Sequence, residues 1–300
     1  MLAKALEGVF APIATLFTKD DDLDLAGYQK NIEWYCNSPL DGVVIMGSNG
    51  EYASLDTDEK LKLIEAGVAA VNGRKTVLAG TGVESTRNTI KLTKAAAEFG
   101  ADFALVVTPY YYRPRYDRAA FVNHYLSVAE ASPIPVVIYI MTAYTGVDLP
   151  SSVVAELSQH PNIVGVKDSA GNAPKVAEMV ANSSDDFSVL AGSANFLYPA
   201  YCLGAKGGIL ALANIAPREC VEIRDLFQEG KHDEARSAQF NLLAPNAAVT
   251  TQFGIAGLKA AMEMVGLQTS VPRPPMLPAT VDERTAIQAI LDKAGLLARV

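Results

Sequence analysis

Apolar residues recur along this chain in two alternating rhythms. Short, nearly continuous apolar and β-branched runs stand between longer stretches in which apolar residues return every three or four positions. The first rhythm belongs to strands buried on both faces, the second to amphipathic helices. The runs predict strands at Val9 to Phe17, Asp41 to Gly47, Thr76 to Gly82, Phe103 to Pro109, Pro135 to Ile140, Ile163 to Lys167, Phe187 to Gly192 and Gly208 to Leu212. The helical spacing predicts Asp24 to Ser38, where Leu25, Tyr28, Ile32 and Tyr35 share a face, and Thr57 to Val71, with Thr57 as N-cap ahead of acids. Further helices are predicted at Ser85 to Phe99, Asp117 to Ala131, Pro150 to Gln159, Asn172 to Asn182, Asn195 to Leu203 and Pro217 to Gln228.

Strands alternating with helices imply parallel pairing, and eight such units close into a (β/α)8 barrel. An open doubly wound sheet is the structural alternative. Against it, neither Gly80-Thr81-Gly82 nor any other stretch has the G-x-G-x-x-G spacing of a dinucleotide turn. After residue 230 the pattern is helical, broken between Val271 and Pro278 by four prolines. The expected organisation is a catalytic barrel over 1–229 and a helical extension over 230–300 packed on it.

The 300 residues are 50% hydrophobic, enough for a large barrel core. A formal charge of −8 without a basic cluster argues against nucleic acid or an anionic membrane as partner. Cys36, Cys202 and Cys220 are odd in number and far apart, which fits neither a disulfide framework nor a metal site and points to the cytoplasm. Met1 to Gly8 has no apolar core of signal-peptide length, and no stretch reaches the roughly 18 apolar residues of a membrane span.

The chemistry centres on Ile163-Val-Gly-Val-Lys-Asp-Ser169. A lysine at the end of a buried strand sits where water is scarce. Desolvation disfavours its charged form, and a neutral amine can attack a carbonyl to form a Schiff base. The bland reading is that Lys167 snorkels to the surface or pairs with Asp168. Barrel enzymes place reacting groups at the C-terminal ends of the strands. Those ends carry Ser48 and Asn49, Tyr110 and Tyr111, Tyr139, Lys167 and Ser193, whereas Lys206 precedes a strand and falls at the opposite face. Gly47-Ser48-Asn49-Gly50 can hold a carboxylate through backbone N–H groups and a hydroxyl, or be a plain β-to-α turn, with Glu51 bracing it. Tyr139 is a phenol in a strand of valine and isoleucine. It is a structural tyrosine by default and a proton carrier if Lys167 lies on the next strand. His124, His160 and His232 form no i, i+4 pair, so a metal site is not expected, and no G-x-S-x-G elbow occurs.

In combination, Gly47-Ser-Asn-Gly-Glu51, Thr108-Pro-Tyr-Tyr-Tyr112, Tyr139 and Val166-Lys-Asp-Ser169 resemble the dihydrodipicolinate synthase / N-acetylneuraminate lyase superfamily of Schiff-base barrels, over about Gly8 to Gly266. Within it the chain is most similar to 4-hydroxy-2-oxoglutarate aldolases, through His160 to Ser169, Leu190 to Ala194, Ala211 to Asn214, Pro245 to Thr250 and Phe253 to Ile255. The resemblance implies that Lys167 forms an imine with a 2-oxo acid, that Gly47, Ser48 and Asn49 hold the adjacent carboxylate, and that Tyr139 moves protons. It further implies that Tyr111 reaches a neighbouring subunit's site in a homotetramer, completing a relay through Ser48, that the backbone at Ile209 touches the pyruvyl carboxylate, and that no metal or organic cofactor is used.

The implied activity is reversible cleavage of a 4-hydroxy-2-oxo acid to pyruvate and an aldehyde. Alternatives are a 2-oxo-3-deoxy sugar acid aldolase or dehydratase, a 4-hydroxy-tetrahydrodipicolinate synthase, and a non-catalytic 2-oxoacid-binding regulator. The chain departs from the family at Ile140-Met141-Thr142-Ala143-Tyr144. The synthases place an arginine at the position of Tyr144 to bind a carboxylate. A phenol there carries no charge, which weakens the synthase reading and opens the pocket to a neutral aldehyde.

Overall fold

The computed structural model describes residues 6–297. The first five residues of the expected barrel span, most of the Met1 to Gly8 segment, and the last three of the extension lie outside the described residues. Eight parallel strands close into a barrel in sequence order, with β1 also pairing β8. They are β1 (Gly8–Pro12), β2 (Gly42–Ile45), β3 (Thr76–Gly80), β4 (Phe103–Val107), β5 (Val136–Ile140), β6 (Ile163–Asp168), β7 (Ser188–Ala191) and β8 (Gly207–Ile209).

The helices between strands are α1 (Leu25–Cys36), α2 (Thr57–Val71), α3 (Thr86–Phe99), α4 (Arg118–Ala131), the short α5 (Thr142–Thr145), α6 (Ser151–Leu157), α7 (Ala173–Asn182) and α8 (Leu197–Cys202), and α9 (Pro217–Gln228) follows the last strand. Beyond them lie α10 (His232–Asn241), α11 (Leu243–Ala247), a π-turn (Ala248–Gln252), α12 (Gly254–Met264) and α13 (Val281–Lys293). The proline-rich break falls in the irregular segment between α12 and α13, as its ring-locked backbone requires.

Strand side chains sort by a period of two. Phe10, Val44, Leu78, Leu105, Val137, Tyr139, Leu190 and Ile209 fill the barrel interior. Their neighbours, among them Val9, Val43, Val77, Ile138 and Val189, pack outward against the helices. The outer core continues without a break into the extension, where Leu258, Ala261, Ile287 and Leu291 join Ile13, Leu212 and Ile215.

Most strands are shorter than the apolar runs that predict them, β8 for example being Gly207–Ile209 and not Gly208 to Leu212, and at β1 and α2 the physical reason for the difference is plain. The run Val9 to Phe17 is apolar apart from Thr15, yet the ladder ends at Pro12, which has no N–H to donate. The residues beyond it are buried by other means. Ile13 N–H donates to the Val44 carbonyl, the Thr15 hydroxyl to the Gly50 carbonyl, and Phe17 N–H to Ser270. The N-cap of α2 is Asp56, not Thr57. Its carboxylate accepts from Glu59 N–H while the Glu59 carboxylate accepts from Asp56 N–H, and a negative cap also suits the helix dipole. Ser85 caps α3 as expected.

Candidate active site

Parallel pairing of β5 with β6 puts Tyr139 directly beside Lys167. Both side chains point into the barrel at the C-terminal end, and Lys167 is 3% exposed. The Lys167 amine lies 4.1 Å from the centre of the Tyr139 ring. Asp168, the neighbour able to neutralise it, faces the other way and pairs with Lys175 at 2.9 Å, and Lys175 also meets Asp148. Desolvation therefore acts on Lys167 unopposed and lowers its pKa to about 7. The bland alternative, a lysine at the surface or paired with Asp168, is not what the structure shows.

The Tyr139 hydroxyl lies 3.1 Å from the Ser48 hydroxyl. Burial pushes the phenol's pKa up, and the Ser48 and Ser169 hydroxyls oppose the rise. The Ser169 oxygen is itself buried without a partner that meets hydrogen-bond geometry. Sequence reasoning noted Ser169 only as part of a motif and gave it no role.

Ser48 opens a 3₁₀ turn (Ser48–Gly50) preceded by extended Gly47. The first N–H groups of such a turn have no acceptor within it, so Ser48 and Asn49 offer backbone donors beside the Tyr139 hydroxyl. Two non-glycine residues with left-handed backbones, Met46 (φ 60°) and Glu51 (φ 53°), bracket the turn. Such residues cost roughly 1–3 kcal/mol each and persist where the surroundings hold them. Gly80 admits the first of them, because a Cβ there would lie 2.1 Å from the Met46 carbonyl oxygen.

Glu51 is held from the far end of the chain. Its carboxylate forms a fully buried ion pair with Lys259 of α12 at 2.5 Å and accepts from Arg273 N–H at 2.8 Å. Burial lowers the Lys259 pKa, and Glu51 counteracts the fall. Arg273 in turn binds Glu59, Asp21 and the Ser54 carbonyl, and its guanidinium lies 4.3 Å from the centre of the Phe17 ring. Glu51 thus braces the turn as expected. Its partners were missed, although Lys259 stands in an otherwise apolar stretch of helix, a pattern that calls for a buried counter-charge.

The remaining candidates are more open. Tyr111 is 71% exposed, and its N–H and that of Tyr110 donate to Glu84. Tyr144 is 57% exposed at the end of α5. Ile209, buried at the end of β8, shares the interior cluster with Tyr139. A pocket of about 540 Å³ opens over Ser48 and Glu51, bounded by Val107, Tyr110, Met141 and Tyr144 on the barrel and by Phe253, Ile255, Met276 and Leu277 of the extension. Lys206 lies before β8, away from the pocket, with its amine on the Asp185 carbonyl. Among the described residues no three histidine, cysteine or acidic side chains gather as metal ligands, the three cysteines are free, and no helix is long and apolar enough to cross a membrane.

A (β/α)8 barrel with an unpaired buried lysine beside a tyrosine–serine pair at its strand ends defines a class of carbon–carbon lyases. The model of the dihydrodipicolinate synthetase family matches residues 5–294, and the chain belongs to that family. It is 36% identical over 292 residues to a 4-hydroxy-tetrahydrodipicolinate synthase of Methanococcoides burtonii, covering 97% of this chain and 99% of that one. It is 35% identical over 297 residues to a probable mitochondrial 4-hydroxy-2-oxoglutarate aldolase of Emericella nidulans, covering 97% and 96%. Among solved structures, a family member from the E. coli K12 prophage, in complex with pyruvate, superposes with a TM-score of 0.92 at 28% identity, covering 97% of this chain and 99% of that one. The chain is an aldolase-type lyase of this family, and its relatives carry the names of two different reactions.

Proposed function

We propose that the chain is a class I, pyruvate-dependent aldolase that cleaves a 4-hydroxy-2-oxo acid through an imine on Lys167. The observation that carries the reading is the Lys167 amine, buried among apolar groups with no carboxylate beside it and a pKa near 7. A pKa lowered this far leaves an appreciable share of such amines uncharged and nucleophilic at neutral pH.

The amine adds to C2 of the oxo acid and water leaves, giving a protonated imine. Ser48, Asn49 and the Gly47 backbone hold the adjacent carboxylate, with the Ile209 backbone at its other side. The C3–C4 bond then breaks. Its electron pair moves into the imine to form an enamine, and the C4 hydroxyl becomes the carbonyl of the departing aldehyde. That hydroxyl proton goes to the Tyr139 oxygen. Burial keeps Tyr139 protonated, so it takes one proton while passing its own to Ser48, 3.1 Å away. Protonation at C3 and addition of water release pyruvate and restore the amine. Tyr111, exposed in one chain, extends this relay from a neighbouring subunit of a homotetramer. Of the described residues, those up to 229 make up the proposed catalytic barrel and those from 230 onward its supporting extension.

A synthase joining pyruvate to a carboxylated aldehyde is the second reading, favoured by the named relative at 36% identity. It shares the Lys167 imine and the enamine, the latter formed from the pyruvyl imine by loss of a C3 proton and then joined to the aldehyde carbon. Borohydride reduction with pyruvate tests the common core: a pyruvyl adduct on the peptide holding Lys167 is expected, and its absence refutes the imine.

A further inference from the structure

We infer that the aldehyde end of the substrate is uncharged and apolar, an aromatic or branched aliphatic tail, and that Met276 and Leu277 of the extension form the wall that selects it. The inference rests on the imine reading of Lys167 and names the substrate class of that same site.

The pocket over Ser48 is assigned to the part of a substrate beyond C4, because its lining joins Ser48, whose hydroxyl lies 3.1 Å from that of Tyr139, to Met141 and Tyr144 just after β5, whereas the adjoining cavity past Lys60 and Lys91 holds none of these three. Among the described residues no lysine, arginine or histidine lines it. Its one charged lining residue, Glu51, is already paired with Lys259 and Arg273 N–H. A second carboxylate brought there would meet no counter-charge and would lose its hydration. The nearby cation Arg113 donates to the Thr145 carbonyl at 3.2 Å and packs against Gly146, outside the lining. Val107, Met141, Ile255, Met276 and Leu277 offer instead a surface that gains by excluding water from an apolar tail.

The wall is fixed in place. Arg273 ties the segment to Asp21, Glu59 and the Ser54 carbonyl, three residues before Met276. Leu277 remains 80% exposed and Tyr144 57% exposed at the rim, so a bound tail has apolar surface left to cover. Phe253 and Ile255 of the same extension add to this apolar lining.

The test is pyruvate release from 4-hydroxy-2-oxo acids that differ only in the group on C4: carboxylate, a short polyol, isobutyl and phenyl. The inference expects kcat/KM for the isobutyl or phenyl acid to exceed that for the carboxylate by about 100-fold, the scale on which pockets separate such groups. Leu277→Lys, at an exposed position that tolerates the change, is expected to shrink that ratio at least tenfold while leaving the pyruvyl adduct on Lys167. Preference for the carboxylate overturns the inference, and loss of that preference in Arg113→Ala would identify the donor responsible. A ratio unmoved by Leu277→Lys overturns the role of the wall. A pyruvyl adduct without cleavage of either apolar-tailed acid also overturns it. Absence of the adduct removes the imine reading itself and is thereby distinguishable from failure of the tail assignment.

Discussion

The two halves of the proposed site, the strand-end residues assigned to the pyruvyl end and the pocket above them assigned to the aldehyde, are built from different materials. The pyruvyl half is made of strand ends: Lys167 and Tyr139 on paired strands, with the Ser48 turn directly after β2. The aldehyde half is made of loops and of the distant extension: the Met141 to Gly146 turn, Phe253, Ile255, Met276 and Leu277. Strand ends are positioned by the barrel ladder and hold a reacting atom to a fraction of an ångström. Loops can change shape and chemistry without disturbing it. The difference teaches that bond chemistry and substrate choice are separable here. Relatives bearing two reaction names, at 36% and 35% identity, are what such separability produces.

Changes in the pyruvyl half should strike every substrate alike. Lys167→Ala is expected to lower kcat/KM by on the order of 10⁴-fold for every C4 tail and to abolish the borohydride adduct, read by mass spectrometry. A tail-dependent loss would break the comparison. Lys259→Met is expected to cost about 3–5 kcal/mol in urea unfolding, because Glu51 stays buried without its counter-charge. Adding Glu51→Gln should recover most of that loss, and failure to recover would remove the charge-pairing explanation. Tyr139→Phe should reduce kcat by roughly 10²–10³-fold while the pyruvyl adduct still forms, separating proton transfer from imine formation.

The smallest expected effect is on pH dependence. The rate of imine formation with pyruvate should rise with pH to a plateau, with a midpoint about 7, as the Lys167 amine loses its proton. The sign for stability follows from the same shift. The folded chain holds this proton less tightly than the unfolded chain, so wild-type stability carries a penalty that is full below about pH 7 and fades toward the ordinary lysine range. Lys167→Met should therefore be more stable than wild type at pH 6, with the difference shrinking as pH rises toward 10. A difference that grows with pH would contradict the buried, unpaired lysine.

Most of the barrel was readable because a strand covered on both faces must be apolar along its whole length, and each of the eight runs sits at a ladder. The exceptions show the limit of that signal. Ile13 to Phe17 are as apolar as a strand, but they are buried by hydrogen bonds to Val44, Gly50 and Ser270 that no local pattern reveals. The pyruvyl half was readable for a related reason: Lys167 and Tyr139 are polar interruptions of apolar runs, so their oddity is local. Leu277 is one apolar residue in a proline-rich segment and carries no such mark. The link between Arg273 and Glu51 spans 222 positions, and only the folded chain shows that they meet.

That separation has a consequence for how the protein is made. Glu51 leaves the ribosome early, and both groups that compensate it, Lys259 and the Arg273 amide, leave near the end. All eight strands precede residue 259, so a nascent chain paused before it holds every strand yet has a carboxylate with no Lys259 to receive it. The cheaper state for that intermediate keeps Glu51 in water and the Ser48 turn undone. On the proposed reading, the Ser48 turn takes its final shape only with the last segments of synthesis, and truncated chains released from stalled ribosomes would carry Lys167 without it.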